Sequence, residues 1–307
     1  MRKSLKQKIF NWIRSLTGNR FFRTEHQVGI IFESISDVAE NPEKHFECIK
    51  WLNKPTKNAN FISPFIAKFK LRHHLFLTLD DSKLGKQKIY STEENIGFDY
   101  YYLALASDHH HSFPSIVQHD NQLFCVPQTD DSGKIALYKF DPDSRKLVPE
   151  TVLLGETNAT APLLYGHEDK WYLFFTELDH NIPKLGIFHS TDIAGPYLPH
   201  PCHCKYQSNR SAGQFFTHQG KLMRPVLHHD GESTRILINE VISINPMEFN
   251  EIVWKSIGSF DQKYFSDGIF MLNGTDEYTV VEGRRTVFTF AGTKPTAGRE
   301  TAFIPTT

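Results

Sequence analysis

The chain has 307 residues, of which 39% are hydrophobic and 22% charged, with 34 Lys plus Arg against 35 Asp plus Glu. These values exclude a disordered, collagenous or disulfide-dense chain, and no apolar run reaches the ~18 residues of a membrane-spanning helix. The net charge of −1 hides an asymmetry: residues 1–23 carry seven bases and no acid, which leaves the remainder at −8. An acidic body argues against a nucleic-acid partner. The four cysteines, Cys48, Cys125, Cys202 and Cys204, are too few for a disulfide framework. No signal peptide is evident, so the expectation is a cytoplasmic protein with reduced thiols.

Residues 1–23 read as a basic amphipathic arm. Leu5, Ile9, Trp12, Ile13 and Leu16 share one helical face, with Lys3, Lys8 and Arg14 off it. Such a helix suits an anionic membrane surface, contacted through residues 1–18, which would make the protein peripheral on the inner membrane face. Packing of the same face on the protein's own body is the commoner use of this pattern. Further on, Asn41 as a cap, Pro42 at the first helical position and the face Phe46, Ile49, Leu52 predict a short helix, or a lead-in to blade one, over 41–53.

A repeat organises the rest. Five apolar runs open at Ser63, Phe113, Ala161, Ala212 and Asp267, at spacings of 50, 48, 51 and 55. Three of them open with Xaa-Pro: Ser63-Pro64, Phe113-Pro114 and Ala161-Pro162. Each run is followed by a polar turn, such as His119-Asp120-Asn121-Gln122, and then by a second apolar run. Each copy therefore reads as a β-hairpin with further strands behind it. Four strands in about 50 residues is the arithmetic of a propeller blade. The expectation is an all-β, five-bladed β-propeller with an N-terminal amphipathic helix. It occupies residues 24–300 as a single domain.

In a propeller the starts of the inner strands converge on the axis. The hairpins return polar residues to the same end. On that basis Asp267, Glu282 and Glu177 are the catalytic candidates. His110, His111, Arg210, Arg284, Arg285, Asp80 and Gln128 are the ligand-binding candidates. His109-His110-His111 and Cys202-His203-Cys204 invite a metal reading. Neighbours along an extended strand face opposite ways, however, and no second Cys/His pair at finger spacing accompanies them. No metal and no cofactor are expected. Neither a phosphate loop nor a nucleophile elbow is present.

His110-His111-Ser112-Phe113-Pro114 followed by Pro127-Gln128 resembles the His-x-Ser-Tyr-Pro … Pro-Glu pattern of one family. That family is the propeller domain at the N-terminus of glucosamine inositolphosphorylceramide transferases. Trp171 to Thr176, Gly195-Pro196-Tyr197, Arg210 to Gly213 and Val280 to Arg285 are similar to further stretches of it. The resemblance covers roughly residues 28–290. It implies a fold akin to five-bladed glycoside hydrolases, and a glycan, glycolipid or nucleotide-sugar ligand in cell-surface polysaccharide or glycolipid metabolism. Three positions where related propellers carry an acid hold Ser63, Ala161 and Gln128. Ordinary glycoside hydrolysis needs two carboxyl groups across the scissile bond. The expectation is therefore a carbohydrate-active or glycan-binding propeller. The alternatives are a divergent glycosyl hydrolase or transferase using Asp267, Glu282 and Glu177, or a protein-binding scaffold.

Overall fold

The computed structural model describes residues 22–288, except 57–58, 82–85, 130–131, 180–181, 206–208, 230–233 and 259–266. The amphipathic helix expected over residues 1–18 lies outside the described residues. Five antiparallel sheets surround a central axis, as the repeat predicts. Blade one is β3 (Ala59–Phe69), β4 (Arg72–Asp81), β5 (Lys88–Glu93) and β6 (Tyr102–Leu105). Blade two is β7 (Ser112–His119), β8 (Gln122–Gln128), β9 (Lys134–Asp141) and β10 (Lys146–Gly155). Blade three is β11 (Ala159–His167), β12 (Lys170–Asp179), β13 (Ile182–Ser190) and β14 (Leu198–Pro199). Blade four is β15 (Arg210–Ser211), β16 (Phe216–His218), β17 (Lys221–His229), β18 (Thr234–Asn245) and β19 (Glu248–Ile257).

Blade five departs from the expected order. Its inner hairpin is β20 (Gly268–Gly274) and β21 (Thr279–Phe288), but its outer strands come from the other end of the chain. β1 (Phe22–Ile31) pairs with β21 from Phe22↔Phe288 to Ile31↔Thr279, and β2 (Lys50–Trp51) pairs outside β1. The ring is thus closed by hydrogen bonds between distant parts of the sequence. Between β1 and β2 lie two short helices, α1 (Ile35–Glu40) and α2 (Pro42–Phe46). The helix expected over 41–53 is therefore corrected: it stops at Phe46, and Lys50–Trp51 is a strand. Gly29 explains the change. It faces Trp51 across the pair, and a β-carbon at Gly29 would lie 2.2 Å from Ile49 and 2.9 Å from the indole. Only glycine lets this edge strand close. The capping residue is Ser34, which accepts from the Asp37 amide; Asn41 makes no side-chain cap.

The Xaa-Pro repeat has a backbone meaning. Ser63, Phe113 and Ala161 are left-handed, with φ of 50, 47 and 51 degrees. Each sits in a bulge, where pairing shifts between Ile62 and Phe65, Ser112 and Ser115, and Thr160 and Leu163. The following proline has no N–H to satisfy, so it tolerates the break in the ladder. A left-handed non-glycine residue costs about 1–2 kcal/mol. A side chain on the second strand of the preceding blade offsets this by accepting the bulge N–H. Thr78 Oγ1 accepts from Phe113 N at 3.1 Å, Gln128 Oε1 from Ala161 N at 2.9 Å, and Glu282 Oε2 from Ser63 N at 2.7 Å. These latches tie blade one to two, two to three, and five to one. Behind them the inner strands pack aromatic rings, as Phe65 does edge-on to Phe113 at 4.8 Å.

Blade four has a broken inner strand. Gly213 lies between β15 and β16, against the Leu272 carbonyl of blade five. Beside it, Gln214 Nε2 donates to Leu164 O at 2.9 Å and Ile116 O at 3.3 Å, which crosses the axis to blades three and two. Among the described residues no helix is long and apolar enough to cross a membrane.

Candidate functional site

The bulges and latches leave a cavity of about 390 Å³ at the end of the axis where the inner strands begin. Ser63, Ser112, Gln128, Arg210, Glu282 and Arg284 line it, together with His26, Gln87 and Phe270. Four of the ten candidate residues read from the sequence therefore meet here: Gln128, Arg210, Glu282 and Arg284.

Strand periodicity explains the selection on blade five. Glu282 and Arg284 are two apart on β21 and share a face, whereas Arg285 points the other way. Arg285 Nη2 and Nε lie 2.7 and 3.0 Å from Glu25 Oε2, an oxygen that Lys54 also approaches at 3.1 Å. The Arg284 guanidinium stands 3.9 Å from the centroid of the Phe270 ring. Arg210, entering from β15, stands 5.3 Å from the Phe113 ring. Stacking of this kind orients a planar guanidinium.

Glu282 is 6% exposed. Its Oε1 lies 2.7 Å from His26 Nδ1, while Oε2 takes the Ser63 N–H. His26 is the residue sequence reasoning missed. It lies opposite Arg284 in the β1–β21 pairing, and only the ring closure brings it to the axis. Nothing local in the sequence marks that partnership.

The other candidates lie elsewhere. Asp80 and His110 stand behind Gln87: its Nε2 donates to Asp80 Oδ1 at 3.3 Å, and its backbone N–H to His110 Nδ1 at 3.4 Å. His111 is buried, with Nε2 2.7 Å from Ser107 Oγ and its ring edge-on to Tyr138. Asp267 does not line the cavity; its Oδ2 accepts from Thr286 Oγ1 at 2.7 Å. Glu177 does not line the cavity and stands beside His203 and Cys204. Burial holds the His203 imidazole below its ordinary pKa against the pull of Glu177.

Five antiparallel sheets around an axial cavity make this a five-bladed propeller of the glycoside-hydrolase-like kind. Solved structures of that shape include a family 117 glycoside hydrolase from Zobellia galactanivorans (TM-score 0.54, 11% identity, 76% of this chain and 87% of that one). An α-L-arabinofuranosidase from Podospora anserina, in complex with cellotriose, is equally similar (TM-score 0.54, 13% identity, 76% and 94%). At such identities the likeness is one of fold.

The chain belongs to the family described as glucosamine inositolphosphorylceramide transferase 1, N-terminal, whose model matches residues 46–273. The rice (Oryza sativa subsp. japonica) glucosamine inositolphosphorylceramide transferase 1 is 23% identical over 172 residues, which cover 53% of this chain and 23% of the enzyme. The chain thus spans about a quarter of the length of the curated relative it matches. The family match supports a carbohydrate-related function.

Proposed function

We propose that this propeller binds an anionic saccharide in its axial cavity and presents it without hydrolysing it. The observation that carries this reading is the pairing of two stacked arginines with a single carboxylate. Arg210 and Arg284 line the cavity and each lies over a phenylalanine ring, and a guanidinium edge suits phosphate or carboxylate. Among the described residues Glu282 is the only carboxylate lining the cavity, and both its oxygens are engaged. Two-acid hydrolysis requires a second one across the bond. Ser63 and Gln128 line the wall with neutral groups, and Ala161 is buried behind it.

An array pairing neutral saccharides with their phosphorylated or carboxylated counterparts tests this. The anionic members are expected to be retained by the full chain and recovered at unchanged mass. Retention of neutral members only would overturn the anionic reading. One observation favours a second reading. The His26–Glu282 pair, at 2.7 Å, has the form of an oriented general base, which would serve a divergent glycosyl transferase. A new product mass in the same array, lost in His26→Gln, would select it.

The source of the saccharide is proposed to be a glycolipid at an anionic membrane. β1 starts at Phe22, opposite Phe288, at the end of blade five onto which the cavity opens. Phe22, where the described chain begins, thus lies at the cavity end of blade five. Deleting residues 1–18 is expected to abolish co-flotation with phosphatidylglycerol vesicles and leave phosphatidylcholine flotation unchanged. Equal flotation of the deleted and intact chains would remove the membrane from the account.

A further inference from the structure

We propose that Glu177, His203 and Cys204 form a site for one zinc-type divalent ion, away from the axial cavity. Three donors of three chemical kinds converge there. Cys204 Sγ lies 3.4 Å from Glu177 Oε2 and 3.4 Å from His203 Nε2, and that nitrogen lies 3.8 Å from the same carboxylate oxygen. Tetrahedral zinc with ordinary Zn–S, Zn–N and Zn–O bonds holds its donors roughly 3.3–3.6 Å apart. The three atoms thus stand near the spacing such an ion imposes. A thiolate, a carboxylate and a neutral imidazole also match the ion's two positive charges.

In an extended strand residues 202–204 would alternate and could not share an ion. They lie in a turn instead, and Cys204 is left-handed, with φ of 53 degrees. That twist brings the side chains of adjacent residues to one side, facing Glu177 on β12. It is a strained conformation for a non-glycine residue, and such strain persists where the surroundings fix it. Here the Cys204 N–H donates to Leu185 O at 2.9 Å. The His203 ring is edge-on to Phe188 at 4.8 Å and tilted against Phe175 at 6.2 Å. Cys202 is turned into the core and takes no part. All three donors are half-buried, so an ion reaches them from solvent.

One feature limits the affinity. The Ile187 N–H approaches His203 Nδ1 at 3.3 Å. Ligation through Nε2 puts the ring proton on Nδ1 and gives up this long contact, whereas metal-bound histidines ordinarily donate from that atom. With a fourth position left to water, the site should bind more weakly than a closed four-ligand zinc centre.

The test is a titration of the chelator-stripped full chain with Co²⁺ alone, followed by competition with Zn²⁺. The expected result is one Co²⁺ per chain, with a thiolate-to-cobalt charge-transfer band and the visible bands of tetrahedral cobalt, displaced by Zn²⁺. Cys204→Ser should abolish the charge-transfer band. His203→Ala and Glu177→Gln should each weaken binding by about tenfold or more. Cys48→Ser and Cys202→Ser should change nothing. Glu177→Gln, at a half-exposed position, keeps the test open if Cys204→Ser fails to fold. Absence of the charge-transfer band, its survival in Cys204→Ser, or unchanged affinity in both His203→Ala and Glu177→Gln overturns the proposal.

Discussion

Glu282→Ala is expected to destabilise the propeller by about 3–5 kcal/mol, read as a lowered urea midpoint. The carboxylate is buried and joins three parts of the ring. It sits on β21, takes the N–H of Ser63 on blade one, and pairs with His26 on β1. Alanine strands the buried Ser63 N–H and the half-buried His26 imidazole at once. One of them belongs to a left-handed residue whose strain that hydrogen bond offsets. Glu282→Gln keeps an oxygen for the Ser63 N–H and loses mainly the charge, so about 1–2 kcal/mol is expected. The order Ala, then Gln, then wild type is the signature of a latch. If the alanine variant unfolds at the wild-type midpoint, blade five is not held to blade one in this way. Domain stabilities of about 5–15 kcal/mol make the alanine effect large. For that reason ligand experiments rest on the arginines rather than on Glu282.

The second large effect is expected at Gly213. A β-carbon there would lie 1.9 Å from the carbonyl oxygen of Leu272, an atom of the blade-five backbone. The overlap cannot be relieved by a side-chain rotation. The same stretch of β20 is fixed by the Leu272 N–H, which donates to Ala212 O at 2.8 Å. Gly213→Ala must therefore push blades four and five apart, at an expected cost of about 3 kcal/mol. Gly220→Ala is the contrast: it lies in an open turn with nothing near its β-carbon, and its cost comes only from a φ of 77 degrees. Urea unfolding of both variants checks this. Equal losses would mean that backbone conformation, not blade contact, governs Gly213.

The blade count and the inner strands were legible because one local device recurs. A bulge before proline needs the same few residues each time, so Ser63-Pro64, Phe113-Pro114 and Ala161-Pro162 announce it at a fixed spacing. The closing strands were not legible. β1 and β21 meet across almost the whole chain, and their pairing depends on the ring being complete. His26 shares that fate, since Glu282 lies 256 residues away from it. Arg284 and Glu282 could be read because period-two spacing puts both on one face of a strand whose end the repeat locates. Arg285, one residue on, faces Glu25 for the same reason. Cys204 shows the opposite limit. Adjacent residues are separated in an extended strand and brought together in a left-handed turn, and the letters Cys202-His203-Cys204 do not distinguish the two.

The central claim is that Arg210 and Arg284 hold an anionic saccharide on the propeller axis. Its most direct test is calorimetric titration of the tightest array ligand into the wild type, Arg210→Ala, Arg284→Ala and Arg285→Ala. Loss of a charge-assisted hydrogen bond predicts about tenfold or more weaker binding in the first two variants. Arg285→Ala, whose guanidinium faces Glu25, should bind as the wild type does. Wild-type affinity in both cavity variants, or an equal loss in Arg285→Ala, would contradict the account.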